Sequence, residues 1–229
     1  MTKIGDHAIG HIMDSEERVA ALSAFLDCPA VVAEKLNDKM SYKSFNHKEI
    51  LVHQGDKNNQ IWLILDGNAQ LQAIGYEGQI TLLTAQGPGE VFGAFPEESI
   101  SNVDIKIYGK LSALQISSLD LKSLLEEYPS LGKGLSKIFG NQFNAIVDRL
   151  AMHVTLTAMG RVYAELLRLS GDNDHIAPSP VIAAVALNAQ TTRETASRAV
   201  STMIRRGVIA RDKKQMDIIS RSLLEEAVI

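Results

Sequence analysis

The stretch Thr191-Thr192-Arg193-Glu194-Thr195-Ala196-Ser197-Arg198-Ala199-Val200-Ser201-Thr202-Met203-Ile204-Arg205-Arg206 decides how this chain reads. Ala196, Ala199, Val200 and Met203 recur at spacings of three and four, which gives a helix one small apolar face. Thr191 followed three residues on by Glu194 is a capping-box pattern, and it predicts a helix start near Thr191. Arg193, Glu194, Ser197 and Arg198 lie away from the apolar face. Two readings compete. The helix is an ordinary amphipathic surface helix with solvated charges, or it reads DNA bases. In the major groove Arg pairs bidentately with guanine, and Glu accepts from the amino group of cytosine.

The flanking sequence favours the second reading. Upstream, Thr157 caps a predicted helix over residues 158–170, a loop follows at 171–174, and Pro178-Ser179-Pro180 introduces a short helix over 181–187. A turn at 188–190 then leads into the quoted stretch. Ala186 is small where the second helix must approach the first, and Gln190 takes the turn position that usually holds glycine. Downstream, Gly207 is a helix C-cap signal. Residues 208–211 and 216–220 then read as a small hairpin carrying Arg211, Lys213 and Lys214, and a short helix over 222–228 ends the chain. Helix, turn, helix and basic hairpin make the winged helix-turn-helix arrangement.

Charge is distributed to match. The 229 residues carry a net charge of −4, but residues 178–221 hold 8 Lys and Arg against 3 Asp and Glu. Residues 1–156 hold 13 basic against 19 acidic side chains. A basic patch confined to one small region is an electrostatic footprint for phosphates. No run of 18 apolar residues occurs, the N-terminus lacks the layout of a signal peptide, and Cys28 is the single cysteine. These features predict a cytoplasmic protein with no membrane partner.

Residues 42–117 have another texture. Short apolar runs, among them 50–52, 61–65, 69–74, 80–83, 105–108 and 111–116, alternate with glycine signals. Many short strands at even spacing predict an antiparallel sandwich or roll, and Asp66-Gly67 between two runs predicts a hairpin. Residues 1–45 read as short helices on the edge of this sheet. A helix over 118–128, closed by Pro129, and a long helix over 131–153 follow. In the long helix Phe139, Phe143, Ile146, Leu150 and His153 form a heptad seam, suited to a twofold homodimer contact or to packing on the chain's own sheet. The expected organisation is α+β: an N-terminal antiparallel β-roll with helices over 1–130, a long dimerisation helix and hinge over 131–156, and a C-terminal winged helix-turn-helix over 157–229.

This order of parts resembles the CRP/FNR family of bacterial transcription regulators. The resemblance rests on Thr192–Arg198 in the quoted helix, Gln54-Gly55-Asp56 followed by Ile61 through Gly67, Gly87 through Gly93, and Gly160-Arg161. It implies a roll similar to cyclic nucleotide-binding domains and a homodimer on palindromic double-stranded DNA. It further implies that Arg193, Glu194 and Arg198, with Ser197, read a half-site related to TGTGA or TTGA. Thr191, Thr192, Arg161, Lys213 and Lys214 would contact phosphates, and RNA polymerase would be a partner. The implied effector pocket comprises Phe92, Gly93, Ala94, Phe95, Ser101, Asn102, Ile146 and Val147.

That pocket departs from the family's cyclic AMP sensors, which place a Glu where Ala94 stands and an Arg-Ser or Arg-Thr pair where Ser101-Asn102 stands. No arginine lies between Arg18 and Arg149. Burying an anionic phosphate without a cation costs on the order of several kcal/mol. Cyclic AMP is therefore not expected at this site, and no cofactor is predicted; haem on a single histidine, an unidentified small effector or constitutive DNA binding is left. One cysteine also excludes an iron–sulfur cluster within the chain. His7 and His11 are the one histidine pair at helical spacing. Two alternatives stand beside the regulator: an effector-binding or protein-interaction module with a vestigial DNA-binding domain, and an enzyme built on a cupin-like roll. The enzyme reading needs clustered His and carboxylates in the sheet, which His47 and His53 do not supply, and no P-loop, nucleophile elbow or HExxH is present.

Overall fold

The structure, a computed structural model, describes residues 13–229, so the His7 and His11 pair lies outside the described residues. The chain opens with α1 (Ser15–Leu26) and α2 (Ala30–Lys39). The strands β1 (Ser41–Phe45), β2 (Ile50–Val52), β3 (Lys57–Asn58), β4 (Gln60–Ile74), β5 (Ile80–Gln86), β6 (Val91–Gly93), β7 (Ser99–Ile100) and β8 (Asp104–Ser117) follow. Helices α3 (Ser118–Glu127), α4 (Pro129–Thr155) and α5 (Ala158–Ser170) lead to β9 (His175–Ile176), α6 (Ile182–Asn188) and α7 (Arg193–Arg205). Strands β10 (Ile209–Arg211) and β11 (Met216–Ile218) and helix α8 (Arg221–Glu226) end the described chain. The described residues divide into two units, one up to residue 70 with 86–141 and the other 71–85 with 142–229.

The larger sheet is built on two long strands, β4 and β8. The sheet order is β1-β8-β4-β5, with β2 also on β8 and β6 also on β4. One end of β8 pairs antiparallel with β1 (Tyr42 opposite Leu114), and the other end with β2 (Val52 opposite Ile105). Period two explains the continuous apolar run in β4. Ile61, Leu63 and Leu65 face a core closed by Leu22, Leu26, Leu36, Leu121 and Leu131 from the helices. Trp62 and Ile64 face the opposite side, into a second core with Val52, Phe92, Ile105, Ile107 and Leu111. A strand covered on both faces has no polar register to show.

Two expectations need correcting here. Asp66-Gly67 is not a hairpin: β4 runs unbroken through it. Gly67 has φ 88°, and a Cβ there would lie 2.0 Å from the Lys110 carbonyl oxygen of β8. The Asp-Gly signal marks a point where the backbone of the neighbouring strand lies close against β4, for which only glycine has room. The reversal comes further on, where the Gly75 amide donates to the Gln79 carbonyl at 2.9 Å. Nor does Pro129 close a helix. It opens α4, where its missing N–H and fixed φ fit the first helical turn, and α3 stops at Glu127.

The second unit has its own core, in which Val162, Tyr163 and Leu166 of α5 meet Val185 and Ala186 of α6, Ala196, Ala199, Val200 and Met203 of α7, and Ile209, Met216 and Ile218 of the hairpin. β10 and β11 pair antiparallel, and β9 adds a third strand beside β11, with Ile176 opposite Met216. The arrangement is helix, turn, helix and wing.

Candidate nucleic-acid interface and effector roll

The α7 helix presents the face that its sequence predicts. Ala196, Ala199, Val200 and Met203 are all buried, whereas Arg193, Glu194, Ser197 and Arg198 are exposed. The start is one residue later than the Thr191 pattern predicts. Thr192 is the N-cap, with its hydroxyl accepting from the Thr195 amide at 3.1 Å. Thr191 instead donates its amide to the Ala186 carbonyl at 2.9 Å, which ties the turn back to α6. Glu194 is thereby released from any capping role and forms an ion pair with Arg198, one helical turn on. With both side chains exposed, that pair adds little to stability and holds two polar tips side by side on the surface.

Arg161 is engaged inside the unit. Its guanidinium donates to the carbonyls of Leu156 (3.1 Å), Ala189 (2.9 Å) and Gln190 (3.2 Å). Carbonyls at a helix C-terminus lack intrahelical partners and carry partial negative charge, so a cation there is well placed. Gln190 has φ 48°, as the usual glycine position predicts. Beside the same turn, buried Glu165 accepts from Arg168 at 2.7 and 2.8 Å and from the Asn188 amide group at 2.8 Å. The Glu165 carboxylate holds the Arg168 pKa above its ordinary value. The sequence reading did not single out Glu165. Its only signal is an acidic residue on the apolar side of an amphipathic helix, three positions before an arginine.

In the wing, Lys213 and Lys214 are exposed at the hairpin tip. Asp212 shapes that tip by accepting from the amides of Lys214 (2.6 Å) and Gln215 (2.8 Å), and these bonds lower its pKa. Arg211 is exposed as well and donates to the Ser179 hydroxyl (3.1 Å) and the Pro180 carbonyl (2.9 Å).

The roll residues fall into both units. Phe92 is buried and stacks on Trp62, with ring centroids 5.4 Å apart. Gly93 has φ 118°, and a Cβ there would meet the Gln60 carbonyl oxygen at 2.2 Å. Ala94 is buried, and its amide donates to that same carbonyl at 2.9 Å. Phe95 lies 5.2 Å, ring to ring, from Phe139, which packs half-buried against the first unit's core. The Ser101 hydroxyl donates to the Val103 carbonyl at 2.7 Å, and Asn102 is exposed. Ile146 and Val147 belong to the second unit, where they are 48% and 45% exposed. Phe143 and Leu150 are exposed to 65% and 61%, so this stretch of α4 offers an uncovered apolar stripe that ends at exposed His153. Among the described residues no group of His, Cys, Asp or Glu could hold a metal ion, and no helix is long and apolar enough to cross a membrane.

Residues 42–128 match the cyclic nucleotide-binding domain, and the chain as a whole has the fold of the CRP/FNR transcription regulators. A curated relative, the cyclic AMP receptor protein of Thermus thermophilus, is 26% identical over 183 residues, covering 77% of this chain and 82% of the relative. Among solved structures, a mutant of CooA from Carboxydothermus hydrogenoformans superposes with a TM-score of 0.72 at 16% identity, over 91% of this chain and 95% of that one. The c-di-GMP-responsive global regulator CLP of Xanthomonas campestris gives 0.71 at 16% identity, over 83% and 99%.

Proposed function

We propose that this chain is a sequence-specific, DNA-binding transcription regulator of the CRP/FNR type, acting in the cytoplasm as a homodimer on a palindromic site. The observation that carries this reading is α7: its small residues anchor it in the second unit's core, and Arg193, Glu194, Ser197 and Arg198 are left exposed beside a basic wing. In this reading those four residues meet base edges, and Thr191, Thr192, Lys213 and Lys214 position the helix on phosphates. Arg161 serves this geometry by holding the turn, beyond any contact of its own with phosphate. The chain is organised as a roll over 1–130, a dimer helix and hinge over 131–156 and a DNA-binding domain over 157–229. It acts through contacts and not as an enzyme, with RNA polymerase as the partner it addresses at a promoter.

Control does not run through cyclic AMP. The methyl side chain of buried Ala94 offers no acceptor for a ribose hydroxyl, and Ser101 spends its hydroxyl proton on its own loop. The test is selection of duplexes from a random library by the purified protein. A palindrome with two short half-sites about one helical turn apart supports the proposal. Retention of no sequence above background, or retention that survives Arg193→Ala with Arg198→Ala, overturns it.

A further inference from the structure

We propose that the hairpin of residues 71–85 is a strut that sets where α7 sits relative to the exposed stretch of α4. The proposal rests on the reading of the chain as a twofold DNA-binding regulator. Two successive carbonyls of β5 are gripped from different elements of the second unit. The Leu82 carbonyl accepts from the Gln190 side-chain amide at 2.9 Å, and the Leu83 carbonyl accepts from the Arg149 guanidinium at 3.1 Å. Arg149 lies on α4, and Gln190 lies in the turn that leads into α7. One short segment of β5 therefore joins α4 to the helix-turn-helix.

Both grips are firm. Gln190 is held in place by its own backbone: its amide donates to the Leu187 carbonyl at 3.1 Å, and its carbonyl accepts from Arg161. The backbone at φ 48° is one that glycine adopts without steric cost and other residues do not. What glycine lacks is the side chain that reaches Leu82, and this gives the non-glycine residue a purpose at a strained position. Arg149 is half-buried, and burial lowers its pKa. Leu82 and Thr84, on either side of Leu83, are themselves buried at 4% and 8% exposure, so the strand is seated and not loose.

The consequence is geometric. The exposed face of α7 is unobstructed while the grips are made, so the strut does not block DNA. It fixes position. A dimer reading two half-sites must hold its recognition helices one helical turn apart, about 34 Å, and tolerance to half-site spacing reports how stiffly they are held.

The experiment compares wild type, Gln190→Gly, Arg149→Met and Arg149→Lys by fluorescence anisotropy on three duplexes. These carry the half-sites selected by the wild type at the preferred spacing, one base pair shorter and one longer. Each hydrogen bond is worth a factor of about five to ten. Wild type should discriminate against altered spacing by about tenfold or more, and Gln190→Gly and Arg149→Met should narrow this to about threefold. Arg149→Lys, which can still donate to Leu83, should keep most of the discrimination. Gln190→Gly should also speed amide hydrogen exchange over residues 80–86 in the free protein while leaving the thermal midpoint near that of wild type. Wild-type spacing preference together with wild-type exchange in Gln190→Gly overturns the strut. If the wild type binds no duplex at all, the functional reading falls, and exchange alone decides the strut: unchanged protection overturns it.

Discussion

Arg161 and Gln190 are joined by a hydrogen bond of 3.2 Å from the guanidinium to the main-chain carbonyl, and the same guanidinium holds the carbonyl of Ala189 at 2.9 Å. One side chain from α5 thus closes the end of α6 and fixes the turn that aims α7. Replacing Arg161 with Met should leave three partly buried carbonyls short of a charged donor. A loss of about 1–3 kcal/mol is expected, read as a lower urea midpoint at unchanged slope. Lysine, which cannot span three acceptors in a fixed fork, should fall between. A stability equal to wild type for Arg161→Met would show that these bonds contribute nothing.

On the proposed reading, residues that meet bases and residues that meet phosphates should separate by experiment. Arg198→Ala should cost about 1–3 kcal/mol per half-site and relax preference at one base position. Lys213→Ala with Lys214→Ala should weaken binding evenly across sequences and reduce the log–log salt slope by about 0.9 for each phosphate no longer neutralised. Titration of selected and scrambled duplexes at three salt concentrations distinguishes the two. A wing variant with an unchanged slope would show that the two lysines neutralise no phosphate.

The exposed stripe on α4 makes the oligomeric state a direct test. Phe143, Ile146, Val147 and Leu150 sit at helical spacing, and each is 45% or more exposed in the single chain. Leu150→Glu would set two like charges against each other across a twofold contact, within an apolar surface. The wild type is expected to sediment at twice the chain mass and the variant as a monomer. A wild type that is monomeric at micromolar concentration would leave the stripe without this role.

How much of this was legible in the chain depends on whether a local period or a distant neighbour decided the outcome. The buried face of α7 is a local period, and all four of its predicted members are buried. The left-handed turn at Gln190 and the wing hairpin are local as well. Gly67 is the opposite case. Asp66-Gly67 carries a turn signal, but its backbone is set by the Lys110 carbonyl, more than forty residues away in the chain, and no window of sequence contains both. Glu165 and β9 were missed for the same reason. The carboxylate is explained only by Asn188 and Arg168 together, and a two-residue strand has no period to detect. The helix start moved from Thr191 to Thr192 because both are good caps and the Thr191 amide is claimed by Ala186.

Gly67 also carries a sharp stability prediction. In Gly67→Ala the added Cβ would fall 2.0 Å from the Lys110 oxygen, at a φ that alanine disfavours. The two adjacent strands must separate or the backbone must flip, and either disrupts the pairing of β4 with β8. A loss of more than about 3 kcal/mol is expected, seen as a collapse of the urea midpoint or as failure to accumulate folded protein. Gly78→Ala is the matched control. It too has positive φ, at 78°, but nothing lies within 4 Å of its added Cβ, so it should cost only the conformational strain. Equal losses for the two variants would show that the close approach of β8 is not the constraint.

Ligand addition tests the roll. A compound that binds the folded state alone at one hundred times its Kd stabilises by about 2.7 kcal/mol. Cyclic AMP at millimolar concentration is expected to leave the thermal midpoint within about one degree of the ligand-free value, since the roll has no arginine to clamp its phosphate. A rise of several degrees would overturn the proposed independence from cyclic AMP.

The wing should loosen in acid, with a sign that follows from Asp212. Its carboxylate accepts the amides of Gln215 and Lys214, which favours the charged form and lowers the folded-state pKa below that of an unfolded Asp, about 3.9. The stabilisation of the wing turn is therefore fully present above that unfolded value, and it is lost as pH falls through the folded one. The amide resonances of Lys214 and Gln215 should hold steady from neutral pH down to about 4 and shift together below it. Asp212→Asn keeps an acceptor of the same shape without a titrating proton and should abolish the coupled shift. Identical titration of the two amides in wild type and Asp212→Asn would assign the acid response to another group.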